Sequence, residues 1–316
     1  MDLYDLQELV REPGSFDSLQ VYFDATISFL QLIADTQPTR IVSPTDNSYI
    51  FFQFSGEFHH KITRPLNTHI FCDERNNFSS EFDRFVSFLI DLKKKQSKAV
   101  RIPRYEKFLA RKGVERVIYT MQQSIGSIGD SFENPNQSRK RVGMLFEQLI
   151  ILVIKELGLE CESRTIKLPL PGHSGYTMSY ELDLVISRNK AIVASETSII
   201  GMHELIGSVK TTSKDRIDKV FLDKFMLSKF LGRPIPVIAI FLHDVQRAKK
   251  QGSIFGINST FKSGHFLGYS IALNPLDGVY YVDPRPNMVT DARLSREVSE
   301  FSKLLVDDLW VLTEGS

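Results

Sequence analysis

Between Val142 and Leu157 apolar residues recur at three- and four-residue steps: Val142, Leu145, Phe146, Leu149, Ile150, Val153, Ile154 and Leu157. That spacing predicts a helix with one wide apolar face, opened by Ser138 and stopped by Gly158. From Tyr180 to Ser187 the period changes to two, with Leu182, Leu184 and Ile186 on one side and Glu181, Asp183 and Ser187 on the other, as in a strand. After the polar break at Arg188–Lys190, Ala191 to Thr197 reads as a second strand, so the pair is expected to form a hairpin. A third strand is expected from Leu205 to Thr211. Ser213 then stands where an N-cap belongs, ahead of a helix that ends at Gly232 before Pro234. Val237 to Leu242 is a compact apolar run of the kind found in buried strands.

Helix, antiparallel strands, helix and buried strand, in that order, predict an α/β fold with a mixed β-sheet flanked by helices. Beyond it, Phe266–Ala272 and Val279–Val282 suggest further strands and Arg293–Leu312 a closing helix. Upstream, a helix at Phe16–Ala34 and an aromatic strand at Tyr49–Phe54 precede a polar loop at Asp73–Ser80, and Gly126–Gln137 reads as a linker or loop. The expected division is therefore a mostly helical N-terminal extension over residues 1–125 and a core over 126–316.

The 316 residues are 42% hydrophobic and 24% charged, enough for a large core without disulfide staples. Two cysteines, Cys72 and Cys161, are too few and too far apart for a zinc clip or a disulfide scaffold, which fits a reducing cytoplasm. No apolar run approaches the roughly 20 residues a bilayer requires, so no membrane partner is expected. The acidic start MDLYDLQELV lacks the basic region of a secretory signal. With 39 basic against 38 acidic residues, the total charge gives no reason to expect nucleic acid. The distribution does: from Lys93 to Arg116 ten Lys or Arg face only Glu106 and Glu115, a local net of +8 in 24 residues. Such a run is either a solvated helical face or a phosphate-contact surface, in which Lys93, Lys94, Lys95, Lys98, Arg101 and Arg104 are the candidate contacts.

The chain has no Gly-rich phosphate loop with a lysine, no GxSxG elbow, no HExxH and no dinucleotide fingerprint. His59-His60 and His243-Asp244 lack the further spaced ligands of a metal site. What remains is a set of carboxylates and a lysine around the strands. Asp183 lies on the polar side of its strand, and 27 residues later Lys210 ends the stretch Gly207-Ser208-Val209-Lys210. By the period of two, Ser208 and Lys210 project from the same face. If the two strands are neighbours, a carboxylate and an ammonium meet at one end of the sheet, the arrangement that metal-assisted phosphodiester cleavage requires. Glu147 falls at the edge of the apolar helix face, near the azimuth of Ile154, where it can lean over the sheet's rim. Each of these acids taken singly also has an ordinary reading as an exposed or surface-paired charge.

The run Ser138-Arg-Lys-Arg-Val-Gly-Met-Leu-Phe-Glu147, the strand bearing Asp183, and Ser208-Val-Lys210-Thr-Thr-Ser-Lys214-Asp215-Arg216 resemble the type II restriction endonucleases of the PD-(D/E)XK superfamily. More narrowly they resemble the branch that reads CCGG-type sites, whose pattern is a strand Asp, then S-x-K, then R-(D/E)-R four residues after the lysine and an acid thirteen after it. Here those positions hold Lys214-Asp215-Arg216 and Asp223. The resemblance spans about a third of the chain, roughly residues 138 to 245. It departs from the pattern in Leu182 for Pro, Lys214 for Arg and Asp223 for Glu, and a lysine at 214 removes a bidentate fork. Glu196, thirteen residues after Asp183, stands where many relatives place the Glu of E-x-K, but Ser198 occupies the lysine position. Glu196 is therefore the runner-up ligand and Lys210 the preferred lysine.

The resemblance implies that Asp183, Asp223 and Glu147 bind Mg²⁺, that Lys210 positions the attacking water, and that Ser208 serves spacing or a hydrogen bond. It also implies base recognition by Lys214, Asp215 and Arg216 from the first helical turn after Ser213, with the cations donating to guanine and the acid accepting from cytosine. A palindromic site containing CC and GG steps calls for a homodimer or a tetramer, and for a DNA methyltransferase that protects the host. The N-terminal extension then becomes a DNA-embracing or dimerising region. Two alternatives stand beside this reading: a repair or recombination nuclease without sequence specificity, and a non-catalytic DNA-binding protein.

Overall fold

The computed structural model describes residues 1–55, 61–95, 103–170, 172–188, 191–214, 216–250 and 253–314. In chain order the elements are α1 (Leu3–Arg11), α2 (Leu19–Thr36), β1 (Thr39–Val42), β2 (Tyr49–Gln53), β3 (Leu66–Asn67), α3 (Arg75–Lys95), α4 (Glu106–Ala110), α5 (Gly113–Asp130) and α6 (Pro135–Glu156). There follow β4 (Glu160–Pro169), β5 (Thr177–Ser187), β6 (Glu204–Thr212), α7 (Ile217–Leu231), β7 (Val237–His243), β8 (Val245–Lys250), β9 (Ser253–Ser259), α8 (Ser263–Ala272), β10 (Gly278–Asp283), α9 (Pro286–Thr290) and β11 (Val298–Glu300). Among the described residues no helix is long and apolar enough to cross a membrane. The chain forms two compact units: residues 1–88, 103–149 and 244–260, and residues 89–102, 150–243 and 261–316.

In the first unit, β1, β2 and β3 form an antiparallel sheet, and Tyr49 and Phe51 of β2 pack with Val245 and Ile257 of the β8–β9 ribbon. Helix α5 is buried along almost its whole length. Its C-terminal end corrects the reading of Gly126–Gln137 as a linker or loop, because the helix runs on to Asp130 and α6 already begins at Pro135. The glycines there serve close packing: a Cβ on Gly126 would lie 2.1 Å from the Arg64 guanidinium, and one on Gly129 would lie 2.6 Å from Val142. Arg64 grips Asp130 with two side-chain hydrogen bonds of 3.1 and 3.0 Å. The expected loop at Asp73–Ser80 is also corrected. Phe78, Phe82, Phe85 and Phe88 form one buried helical stripe, and the polar residues before Phe78 belong to the first turn of α3.

The second unit is built on a six-stranded mixed sheet, β11-β10-β7-β6-β5-β4, antiparallel from β4 to β6 and parallel from β6 to β11. One face carries Leu182, Val185, Ile206, Val237, Ala239 and Phe241 against Val220, Phe221 and Leu227 of α7 and Phe266 of α8. Every apolar residue read into the helix face from Val142 to Leu157 is buried.

Four further expectations are corrected in this unit. Ala191–Thr197 is not a strand, because β5 takes β4 and β6 as its neighbours. The segment loops instead around the buried Glu204, whose carboxylate accepts from the backbone N–H groups of Val193, Ala194 (3.1 Å) and Gly201 (2.6 Å). Ser213 is not an N-cap. Its carbonyl accepts from the N–H groups of Arg216 and Ile217, so Lys214 and Arg216 belong to a turn before α7 rather than to the helix's first turn. Phe266–Ala272 is helical, since Phe266, Tyr269 and Leu273 are spaced to meet the core beside Phe221. The closing helix covers only residues 301–312, because Val298–Glu300 pairs with β10 at the sheet's edge.

Candidate active site

The floor of the site is made by β5 and β6. On β6 the period of two holds: Val209 is buried, while Ser208 and Lys210 flank it half-buried on the opposite face, the face of Ile206. On β5 it does not hold throughout. Opposite β4, Val185 pairs with Glu162 and Leu182 with Arg164, so Asp183 and Leu184 together face the single residue Ser163. This is a β-bulge, which re-aims side chains. Leu182 and Val185, three residues apart, both enter the core under α7. Asp183, which strict alternation would turn away from Leu182, joins the same face. The expected alternation of Leu182 with Leu184 and Ile186 is corrected accordingly.

The result is a tight constellation. The Asp183 Oδ2 atom accepts from Ser208 Oγ at 3.0 Å, from the Val209 N–H at 2.9 Å and from Lys210 Nζ. Three donors on one oxygen fix the carboxylate, and no described residue bonds its Oδ1 atom. Charge-assisted bonds of this kind hold Lys210 as firmly as they hold Asp183.

Helix α7 supplies the opposite wall. Asp223 and Lys219 lie four residues apart on it, hence on one face. With Tyr180, Glu181, Arg216, Ser208, Asp183 and Lys210 they line a single cavity of about 50 Å³. A buried water needs roughly 10–15 Å³, so a cluster of waters or a hydrated ion fits. Burial pushes the Asp223 carboxyl above the usual carboxylate range; the Tyr180 hydroxyl and the Lys219 and Lys210 charges pull it down, and the negative Asp183 pushes it up again. Burial likewise raises the Tyr180 phenol, with Asp223 adding to it.

Of the residues singled out in the sequence, Asp183, Ser208, Lys210, Arg216 and Asp223 therefore meet in one place. Glu196 stands apart, exposed on the loop after β5 and ion-paired with Lys167 at 2.7 Å. Glu147 lies on α6, in the first unit. Lys214 is exposed in the turn after β6, while Asp215, Lys98, Arg101 and the pair His59-His60 fall outside the described residues. Lys93, Lys94 and Lys95 end α3, with Lys94 paired to Asp91 at 3.7 Å, and Arg104 lies over the Tyr105 ring. Tyr180 and Lys219 were missed. The helical spacing of Lys219 and Asp223 was a signal for the second; the bulge hides the first. Among the described residues no three acids, histidines or cysteines cluster as a metal cage; Asp183 and Asp223 line the same cavity.

No family model matches the chain, and no curated protein sequence matches it. Its likeness to solved structures is another matter. The crystal structure of the type IIP restriction endonuclease Kpn2I superposes with a TM-score of 0.69 over 99% of both chains, at 16% identity. The chain shares the fold of that structure, a mixed sheet flanked by helices. A second structure, the restriction endonuclease PspGI with substrate DNA, overlaps 63% of this chain and 80% of its own at 12% identity; its TM-score of 0.39 is too low to define a shared fold.

Proposed function

We propose that the chain is a type II restriction endonuclease, making double-strand cuts in DNA at a specific, palindromic site that contains CC and GG steps, contiguous or interrupted. The observation that carries this reading is the convergence of Asp183, Ser208 and Lys210 at the bulge of β5, with Asp223 across the same cavity. The donor set suits Mg²⁺, which takes one or two carboxylates and keeps several waters. Asp183 has an oxygen to spare, and partial burial pushes the Asp223 carboxyl up, a cost that a cation would offset. These two residues would hold the ion. When bound, Mg²⁺ supplies positive charge against the phosphodiester oxygens and makes a neighbouring water more acidic.

The chain's own groups do the rest. Lys210, held in place by Asp183, donates to the attacking water and orients it in line with the bond to the 3′-oxygen. Breaking that bond leaves a 5′-phosphate and a 3′-hydroxyl. Ser208 keeps Asp183 turned toward the lysine. Arg216 stands at the cavity's mouth, where a guanidinium can donate twice to guanine O6 and N7, with Lys214 and Asp215 completing the reading of adjacent G and C. A nuclease of this kind is paired with a DNA methyltransferase that shields the host's own sites.

Incubation with Mg²⁺ and a long sequenced duplex is the test. Discrete bands are expected; progressive loss would favour a repair or recombination nuclease, and intact DNA a binding protein. Lys210→Ala is expected to lower the cleavage rate by about 10²-fold or more while leaving DNA binding in Ca²⁺ intact. Arg216→Ala is expected to weaken specific binding by about 1–3 kcal/mol. Wild-type rates from the lysine variant would overturn the assignment.

A further inference from the structure

The cavity is lined by three cations, Lys210, Arg216 and Lys219, and three acids, Glu181, Asp183 and Asp223. Besides Lys210, which Asp183 engages, Arg216 and Lys219 line it, and both are exposed. Neither side chain forms a hydrogen bond or ion pair with a described residue; Lys219 acts on Asp223 only through its charge. Lys219 sits in the first turn of the 15-residue helix α7, one turn before Asp223. Its side chain is exposed and lines the cavity. A phosphodiester that meets Asp183 and Lys210 in this cavity comes beside Lys219, which lines it too. The α7 wall thus presents a cation, at a helix N-terminus, to an incoming polyanion.

Resting on the nuclease reading, we infer that Lys219 is a further substrate-binding residue, holding a backbone phosphate of the cleaved strand at the cavity. Its role differs from that of Arg216, which has the planar fork needed to read a base; an ammonium is a point charge and contributes affinity without sequence information. The contact is the same whatever the base. It brings the strand to the cavity and leaves the choice of site untouched.

Salt dependence separates this role from others. Binding of a random-sequence duplex is measured by fluorescence anisotropy without divalent cations, at several salt concentrations, for the wild type, Lys219→Gln and Lys219→Arg. One lost phosphate contact is expected to make the slope of log K against log salt shallower by about 0.9 per bound chain, with weakening of the same size on every sequence. Lys219→Arg keeps the wild-type slope. Because the side chain is exposed, Lys219→Gln should melt with the wild type, which a thermal scan checks. The same comparison in an Asp223→Asn background excludes an effect relayed through Asp223: the change in slope should persist. An unchanged slope in Lys219→Gln, or a change that vanishes in the Asp223→Asn background, overturns the inference. If the wild type makes no cuts while the slope still shifts, the nuclease reading fails and the phosphate contact stands.

Discussion

By plain alternation Asp183 shares the face of Val185, which pairs with Ile206, and so reaches Ser208 and Lys210, but Leu182 would then lie on the opposite face. The bulge turns both toward α7, and Tyr180, two residues before Leu182, comes with them. Across the cavity, Asp223 illustrates the conflict between stability and chemistry. Its carboxyl is raised in the fold by burial, so the protonated form is the one the fold favours. That favourable contribution is full below the ordinary carboxylate pKa and is lost as pH rises through the raised value. At neutral pH the charged Asp223 therefore costs stability, though modestly, since the group is only half-buried. Asp223→Asn in metal-free buffer is expected to melt about one or two degrees above the wild type at pH 7 and level with it near pH 3. The same variant should lose cleavage. A lower melting point at pH 7 would show that the carboxylate is stabilising as a charge.

At the scale of elements, α7 matters because it carries both Asp223 and Lys219, and its position depends on a buried lysine. Lys224 donates to the Pro275 carbonyl and to Asp277 Oδ2, each at 2.6 Å, and the same Asp277 oxygen accepts from the Val237 N–H at the start of β7. The helix is thereby tied to the strand that neighbours β6. Removing one partner of such a pair strands the other. Lys224→Ala is expected to cost about 3 kcal/mol in urea unfolding, and much less when Asp277→Asn is already present; additive losses would mean that the two do not act as a pair. Elements with a single strong period were legible in the sequence: the apolar face of α6, strands β6, β7 and β10, and the left-handed C-cap of α7 at Gly232 (φ 65°). Those that failed were decided by partners distant in the chain. Ala191–Thr197 has strand composition but yields its place beside β5 to β6, while Gly126 and Gly129 sit in a helix because Arg64 and Val142 crowd them. The site was legible as Asp183, Ser208, Lys210 and Asp223, whereas Tyr180 required the bulge to be seen.

For the whole molecule, the balance of 39 basic and 38 acidic residues is repeated in the cavity, where Lys210, Arg216 and Lys219 meet Glu181, Asp183 and Asp223. With a net charge near zero, long-range steering by net charge is weak. One chain also holds one such cavity among its described residues. On the proposed reading a single cavity addresses one strand, and the two strands of a palindrome present their cleavable bonds in two-fold symmetry, so cutting both in one encounter would take two chains. With supercoiled plasmid carrying a single site, the linear form is expected to appear directly, with little nicked circle, and light scattering of the complex with a one-site duplex should give two chains per duplex. Dilution should then slow cutting more steeply than in proportion to protein, because the active species must first assemble. Nicked circle that accumulates before the linear form, together with one chain per duplex, would instead mean that each chain acts alone on a single strand.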